Sequence, residues 1–243
     1  MDKLITVITV VYNGLNTIEK TIQSVLEQEY PVEYIIVDGD SSDGTVDIIK
    51  QYEKHLTAWV SEKDTGIYDA MNKGTEMASG KWICFLNSGD VFADKYVTQI
   101  VAETIKSNNE PDILYGNILV EKSDHTLKER IAKEPCNLHR MYFCHQAAFT
   151  EKTLLKTFPF DIKHKMSADL KFFKECYYNG CRFVHLNMPL VIYDTAGISN
   201  INREAGLRDN IAIINAVDRG IQKYLFLLRL YFVIYWRKLN GKH

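Results

Sequence analysis

No window of the 243-residue chain reaches the ~18 uninterrupted apolar residues that a membrane-spanning helix requires. Its five cysteines (Cys84, Cys136, Cys144, Cys176, Cys181) contain no CxxC pair, and their odd number speaks against a disulfide framework. The opening segment MDKLITVITVVYNG lacks the layout of a secretory leader, so reduced thiols in the cytoplasm are the expected state. Charge of neither sign is in excess: 29 Lys and Arg against 31 Asp and Glu give a formal net charge of −2, and no nucleic-acid partner is expected. Repeats and low-complexity segments are missing, as is a linker that would split the chain into independent domains. No GxGxxG follows the first apolar run, which argues against a dinucleotide-dependent redox enzyme. No GxSxG elbow is present for a serine hydrolase, and the Cys and His residues lack the paired spacing of a zinc site.

The chain is built instead from short apolar runs alternating with amphipathic segments. Leu4 to Val11 is a β-branched run of the kind that forms a buried strand, closed by Asn13-Gly14. Thr17 can cap a helix through Gln28 with apolar Ile18, Ile22, Val25 and Leu26, and Pro31 ends it. Glu33 to Val37, Thr57 to Ser61 and Lys81 to Leu86 predict further strands; Thr45 to Tyr52 and Ile67 to Ala78 predict helices between them. This is an α/β pattern, a mostly parallel central sheet flanked by helices on both faces. Right-handed crossovers then gather the strand C-terminal ends along one edge.

Further on, Val97 to Ser107 predicts a helix and Asp112 to Val120 strands around Gly116-Asn117, with 121–144 polar and irregular. Phe149 to Leu155 and Ala168 to Asn179 predict helices, Arg182 to Asn187 and Leu190 to Tyr193 strands, and Gly197 to Gly206 a mobile polar loop. Residues 220–243 predict an amphipathic helix, aromatic and basic, with Lys223, Arg229, Arg237 and Lys238 in and around its apolar runs. It fits either a helix lying on an anionic membrane surface or one docked on the domain or on a partner subunit.

In open α/β sheets ligands bind beyond the carboxyl ends of the strands. Polar clusters sit at four such ends: Tyr12-Asn13, Asp38 to Asp43, Asp64-Thr65-Gly66, and Asn87 to Asp90. One Asp after a strand is an ordinary turn residue; four convergent clusters outline a crevice.

The ordered set TVITVVYNG, TIQSVLEQ, IIVDGDSSDGT, DTGIYDAMNKG and ASGKWICFLNSGD resembles glycosyltransferase family 2, the inverting enzymes with a GT-A fold. The correspondence covers residues 4 to about 95 and continues more weakly to about 200. It is greatest with bacterial enzymes that build O-antigen lipopolysaccharide, colanic-acid and capsule repeat units. The resemblance implies one catalytic domain over 1–219, with a nucleotide-sugar-binding half (1–95) and an acceptor half (96–219). It further implies a UDP-sugar donor, galactose or glucose being the sugars expected, and a lipid-linked saccharide acceptor of the undecaprenyl-diphosphate type. The enzyme would be cytoplasmic and peripheral at the inner face of the cytoplasmic membrane.

The same resemblance gives residues their expected roles. Asp38 would accept the N3–H of a uracil beside the backbone of Thr9 and Val11, although a carboxylate there also suits a turn. Asn13, Asp64, Asp69, Asn72 and Lys73 would line the donor site, Lys73 facing phosphate or else pairing with Asp69 four residues away. Asp90 would hold Mn²⁺ or Mg²⁺, which favour oxygen ligands. The family's usual Asp-x-Asp here reads Asn87-Ser88-Gly89-Asp90, so weaker metal affinity is expected, with Asn87 and Ser88 left to the ribose or sugar hydroxyls. Asp169, in Met166-Ser-Ala-Asp-Leu170, would be the base that takes the acceptor proton, Ala168 replacing the family's frequent Glu. His145 and Gln146 would flank the acceptor, and Arg203 would reach the diphosphate.

Two other readings compete. A sugar nucleotidyltransferase needs a Gly-rich, Arg-containing loop after the first strand, and Tyr12-Asn13-Gly14-Leu15 offers none. A non-catalytic nucleotide-binding scaffold would explain the lost carboxylate at Asn87, but the retention of Asp90 and Asp169 opposes it.

Overall fold

The first strand, β1 (Ile5–Val11), is buried along its whole length because it runs through the centre of the sheet. Parallel neighbours flank it, β2 (Glu33–Asp38) on one side and β4 (Trp82–Phe85) on the other, and β3 (Ala58–Ser61) pairs with β2. The computed structural model describes residues 3–107, 111–122, 126–136, 141–195 and 203–239. Among them, the helices joining these strands are α1 (Ile18–Leu26), α2 (Thr45–Gln51) and α3 (Ile67–Met77).

Side chains alternate across β1, and each face finds its own cover. Ile5, Val7 and Val11 pack with Ile18, Ile22 and Val25 of α1 and with Val97 and Val101 of α4 (Val97–Lys106). Ile8 and Val10 pack on the opposite side with Met71 of α3 and with Phe172 and Phe173 of α6 (Ala168–Tyr178).

The second half adds β5 (Val91–Phe92), β6 (Ile113–Glu121), β7 (Leu127–Arg130), β8 (Ala148–Glu151) and β9 (Phe183–Tyr193), with α5 (Lys152–Thr157) after β8. The sheet order is β3-β2-β1-β4-β8-β6-β9-β5, with β7 on β6. Pairing is parallel over β3-β2-β1-β4. Beyond β4 only β6 and β9 run parallel; β8 pairs antiparallel with both β4 and β6.

Several elements depart from the sequence reading. Phe149 to Leu155 is a strand and then a helix: Phe149 pairs with Cys84 and with Leu114, so its apolar run fills a slot between two strands. A short apolar run does not by itself separate strand from helix. β7 lies in the stretch expected to be irregular; all four of its residues are exposed and give no alternation. The two strands expected after Arg182 are one, β9, irregular around Asn187 (φ 51°) and with shifted register against β6 near Asn117. Of the expected loop, 203–206 begin helix α7 (Arg203–Val217), and 197–202 lie outside the described residues. The last helix, α8 (Gln222–Leu239), packs on α7 through Leu227 and Ile234 against Ile211 and Ile214.

One buried carboxylate staples the start of the sheet. Glu33 accepts hydrogen bonds from the Thr6 hydroxyl, from the Ser79 N–H (2.7 Å) and hydroxyl (2.8 Å), and from the Gly80 N–H (3.0 Å). Burial alone would raise its pKa, but these donors outweigh it and hold the carboxyl below its ordinary 4.5. A carboxyl lowered in the fold adds stability above its unfolded value and loses it as pH falls through the folded one. Glu33→Ala, which orphans the donors, should cost about 2–4 kcal/mol at pH 7. The loss should shrink below about pH 4, which urea unfolding at the two pH values would measure.

Candidate active site

The C-terminal ends of β1 and β4 open into a cavity of about 1020 Å³, at the upper end of the size range of small-molecule sites. Val11, Asn13, Asp64, Asn87, Ser88, Asp90, His145, Gln146 and Asp169 line it, so nine residues singled out from sequence come together. They arrive from both halves of the chain. A single helical turn, His145–Ala147, and the first turn of α6 bring His145, Gln146 and Asp169 to the strand ends of the first half.

Asp169 is the best-anchored group in the cavity. Its Oδ1 accepts the Tyr68 hydroxyl at 2.7 Å, and its Oδ2 lies 3.0 Å from His145 Nδ1. The second contact places the imidazole N–H on Nδ1 and leaves Nε2 facing the Asn87 amide nitrogen at 3.3 Å. Burial raises the Asp169 carboxyl, but the hydrogen bond and charge of His145, the Tyr68 hydroxyl and the Leu170 N–H together hold it below the usual carboxylate range. It is therefore ionised at neutral pH. The Tyr68 hydroxyl is pushed well up, first by burial and then by the Asp169 charge, so it remains a donor.

Asp90 has the opposite character. It is 3 % exposed, and burial lifts its pKa to about 6 against the Asp194 N–H, the charge of His145 and the Gln146 side chain, which lower it. The Asp194 N–H donates to its Oδ1 at 2.8 Å. Asp194 itself follows β9, which β5 brings alongside through the Val91–Ile192 pairing. At Gly89 (φ 103°) a Cβ would sit 2.4 Å from Asp194 Oδ2, so only glycine admits that carboxylate. The Asn87 Oδ1 is buried and has no hydrogen-bond partner among the described residues. Asp90 and Asp194 place two carboxylates side by side, oxygen ligands of the type a hard divalent cation favours, with Lys20 Nζ 3.5 Å from Asp194 Oδ2. No group of three or more His, Cys, Asp or Glu residues is arranged for a metal among the described residues. A cation held by Asp90 and Asp194 would need further oxygens from a ligand or water.

Asp38, Thr9, Asp69, Asn72 and Lys73 stand outside the cavity wall. Asp38 is fully buried at the end of β2 and accepts from the Ser41 N–H (3.0 Å) and hydroxyl (2.5 Å) and from the Ser61 hydroxyl (2.7 Å). Thr9 turns into the core against the Tyr34 hydroxyl at 3.0 Å. Asp69 accepts the Thr65 N–H at 2.9 Å, and Asn72 makes two hydrogen bonds with the Phe160 backbone. Lys73 pairs with Glu62 at 2.8 Å and lies 3.9 Å from Asp69. Arg203 opens α7, and its side chain lies outside the described residues.

Sequence reasoning passed over Asp194 and Tyr68. Asp194 carried the same signal as the others, a carboxylate just past an apolar strand, but nothing in sequence tied β9 to the Asp90 loop. Tyr68 reads as one of the apolar positions of an amphipathic helix, and only the packing of α6 near α3 brings its hydroxyl to Asp169.

A mixed sheet, parallel over β3-β2-β1-β4 with an acidic crevice at its strand ends and helices on both faces, is the GT-A fold, and solved structures match it. The fold aligns with Staphylococcus aureus TarS 1-349 in complex with UDP at a TM-score of 0.70 and 20% identity, over 93% of this chain and 70% of that one. It aligns with the mannosyltransferase PcManGT from Pyrobaculum calidifontis, in complex with GDP-Man and Mn2+, at 0.70 and 17% identity, over 96% and 70%. The family model for glycosyl transferase family 2 matches residues 6–169, and the chain belongs to that family. Among curated proteins, a PGL/p-HBAD biosynthesis glycosyltransferase of Mycobacterium bovis is 27% identical over 85% of this chain and 86% of its own. The putative teichuronic acid biosynthesis glycosyltransferase TuaG of Bacillus subtilis is 45% identical over 36% of each.

Proposed function

We propose that this glycosyltransferase moves a hexose, galactose or glucose, from a UDP-sugar to a lipid-linked saccharide with inversion, in the assembly of a bacterial surface polysaccharide. The relatives named for PGL and teichuronic acid synthesis support the product class, and the UDP complex of TarS supports the donor nucleotide. An acceptor carried on undecaprenyl diphosphate places the work at the inner face of the cytoplasmic membrane.

The observation that carries the reading is the ionised Asp169, fixed from both sides by Tyr68 and His145 in the same cavity as Asp90. An acceptor hydroxyl beside Asp169 gives its proton to the carboxylate as its oxygen bonds to the anomeric carbon of the donor. The bond from that carbon to the diphosphate breaks on the opposite face, and no enzyme nucleophile is needed. Tyr68 and His145 hold the carboxylate still and keep it charged until the proton arrives. Asp90 and Asp194 would hold Mn²⁺ or Mg²⁺, a reading supported by the Mn2+ complex of a mannosyltransferase with the same fold, and the ion would offset charge on the departing diphosphate. The neutral amide at Asn87 leaves one negative charge fewer for that ion than the usual Asp-x-Asp.

Thermal unfolding with UDP, with and without Mn²⁺, tests the donor and metal assignments without relying on turnover. At ~100 times its dissociation constant a ligand of the folded state adds about 2.7 kcal/mol. The stabilisation should require the metal and should vanish in Asp90→Ala. A response to UDP that ignores both the metal and the substitution would remove Asp90 from the metal site.

A further inference from the structure

The last helix shows the solvent a broad apolar face. Leu227 and Ile234 of α8 are buried on α7, while Leu225, Leu228, Tyr231, Phe232, Tyr235 and Trp236 are between 52 and 72 % exposed. At about 100° per residue these six fall within an arc of about 140°, on a stripe roughly 17 Å long. Soluble monomers seldom leave so continuous a stripe of large apolar side chains in water. The helix is thus docked on one side, which fastens it to the domain, and exposed on the other.

Charge separates along the chain in the same place. Residues 219–243 contain six Lys and Arg and no Asp or Glu, so all 31 acidic residues lie in the first 218, beside 23 basic ones. Arg229 is exposed at the border of the apolar face. Lys223 faces the other way, its Nζ donating to the Asp218 carbonyl at 3.2 Å. Two copies meeting face to face through α8 would bring like charges together. An anionic surface that also accepts apolar side chains satisfies both features, and aromatic residues are the ones that favour the boundary between headgroups and acyl chains. No helix among the described residues is long and apolar enough to cross a membrane, so the contact would lie in the plane of the surface.

From this arrangement we infer that α8 is a lipid-surface anchor, inserting its Leu225 to Trp236 face between the headgroups of an anionic membrane with Arg229 among the phosphates. The inference goes beyond the transferase reading, and its test needs neither donor nor acceptor, so either can fail alone.

Flotation of the full chain with vesicles checks it, using phosphatidylcholine alone and phosphatidylcholine with about 30% phosphatidylglycerol. The protein should float with the anionic vesicles, much less with the neutral ones, and less as salt is raised. Phe232→Ser with Trp236→Ser alters only exposed positions; it should keep the helical circular dichroism and lower vesicle partitioning about tenfold or more. Trp236 emission should shift to the blue on anionic vesicles, a change absent from Trp236→Phe. No flotation of the unaltered protein would overturn the inference, as would equal binding to both vesicle types. A concentration-dependent dimer dissolved by the double substitution would overturn it too, making the face an interface between copies.

Discussion

An Asp169→Asn enzyme should turn over ~10²–10⁴ times more slowly than the unaltered one while keeping its thermal response to UDP. The amide matches the carboxylate in shape and can still meet the Tyr68 hydroxyl at one atom, but it has no lone pair basic enough to take a proton. The expected result is thus a fall in kcat with the nucleotide site intact. His145→Gln should cost less, because it removes a hydrogen bond from Asp169 but leaves the carboxylate in place. If Asp169→Asn kept its full rate, both the base assignment and the transferase mechanism built on it would fail. If His145→Gln were the more severe variant, the imidazole rather than the carboxylate would be receiving the proton.

The second large effect is on stability. Lys174 of α6 and Asp218, just past α7, form a pair at 2.6 Å with both side chains fully buried. The pair joins the helix that carries Asp169 to the helical hairpin that ends the chain. The Lys174 ammonium lies about 5.9 Å from the Tyr142 ring centre, and burial pulls its pKa down while Asp218 pulls it up. Removing one member leaves the other charge buried without that partner, which costs about 3–5 kcal/mol. Asp218→Ala should therefore lower Tm by roughly 6–20 °C in a chain of this length. Lys174→Met combined with Asp218→Leu should recover most of the loss, because neither charge then remains to be solvated. A double variant no more stable than Asp218→Ala would mean that the pair's geometry, and not its charge balance, holds the hairpin. Tyr178, whose hydroxyl is 3.4 Å from Asp218, would then be the residue to examine next.

The first ninety residues were legible because their physics is local. β1 and β2 are buried at every position and mostly apolar because each has a strand on both sides, and the helix between them carries one apolar face. Such patterns survive in one dimension. The slot filled by β8 does not: Ala148 to Glu151 becomes a strand because β4 and β6, over sixty and thirty residues away, leave an edge open there. β7 has no pattern to read, since an exposed edge strand buries neither face.

The site divides the same way. The amino-acid order by itself placed carboxylates and amides at the ends of parallel strands and at the start of α6; of these Asp64, Asn87, Asp90 and Asp169 line the crevice, and Asp38 does not. Only the tertiary structure decided which residues work in concert. Asp194 reaches Asp90 because β5 pairs with β9 across a separation of about a hundred residues. The Tyr68 hydroxyl meets Asp169 because α6 packs near α3. Asp38, Asn72 and Lys73 are drawn into local hydrogen bonds and ion pairs that spacing alone does not distinguish from ligand contacts. Sequence fixes which chemistry is available at each strand end, but side chains tens to a hundred residues apart meet only through the packing of the whole sheet, and that packing selects their partners.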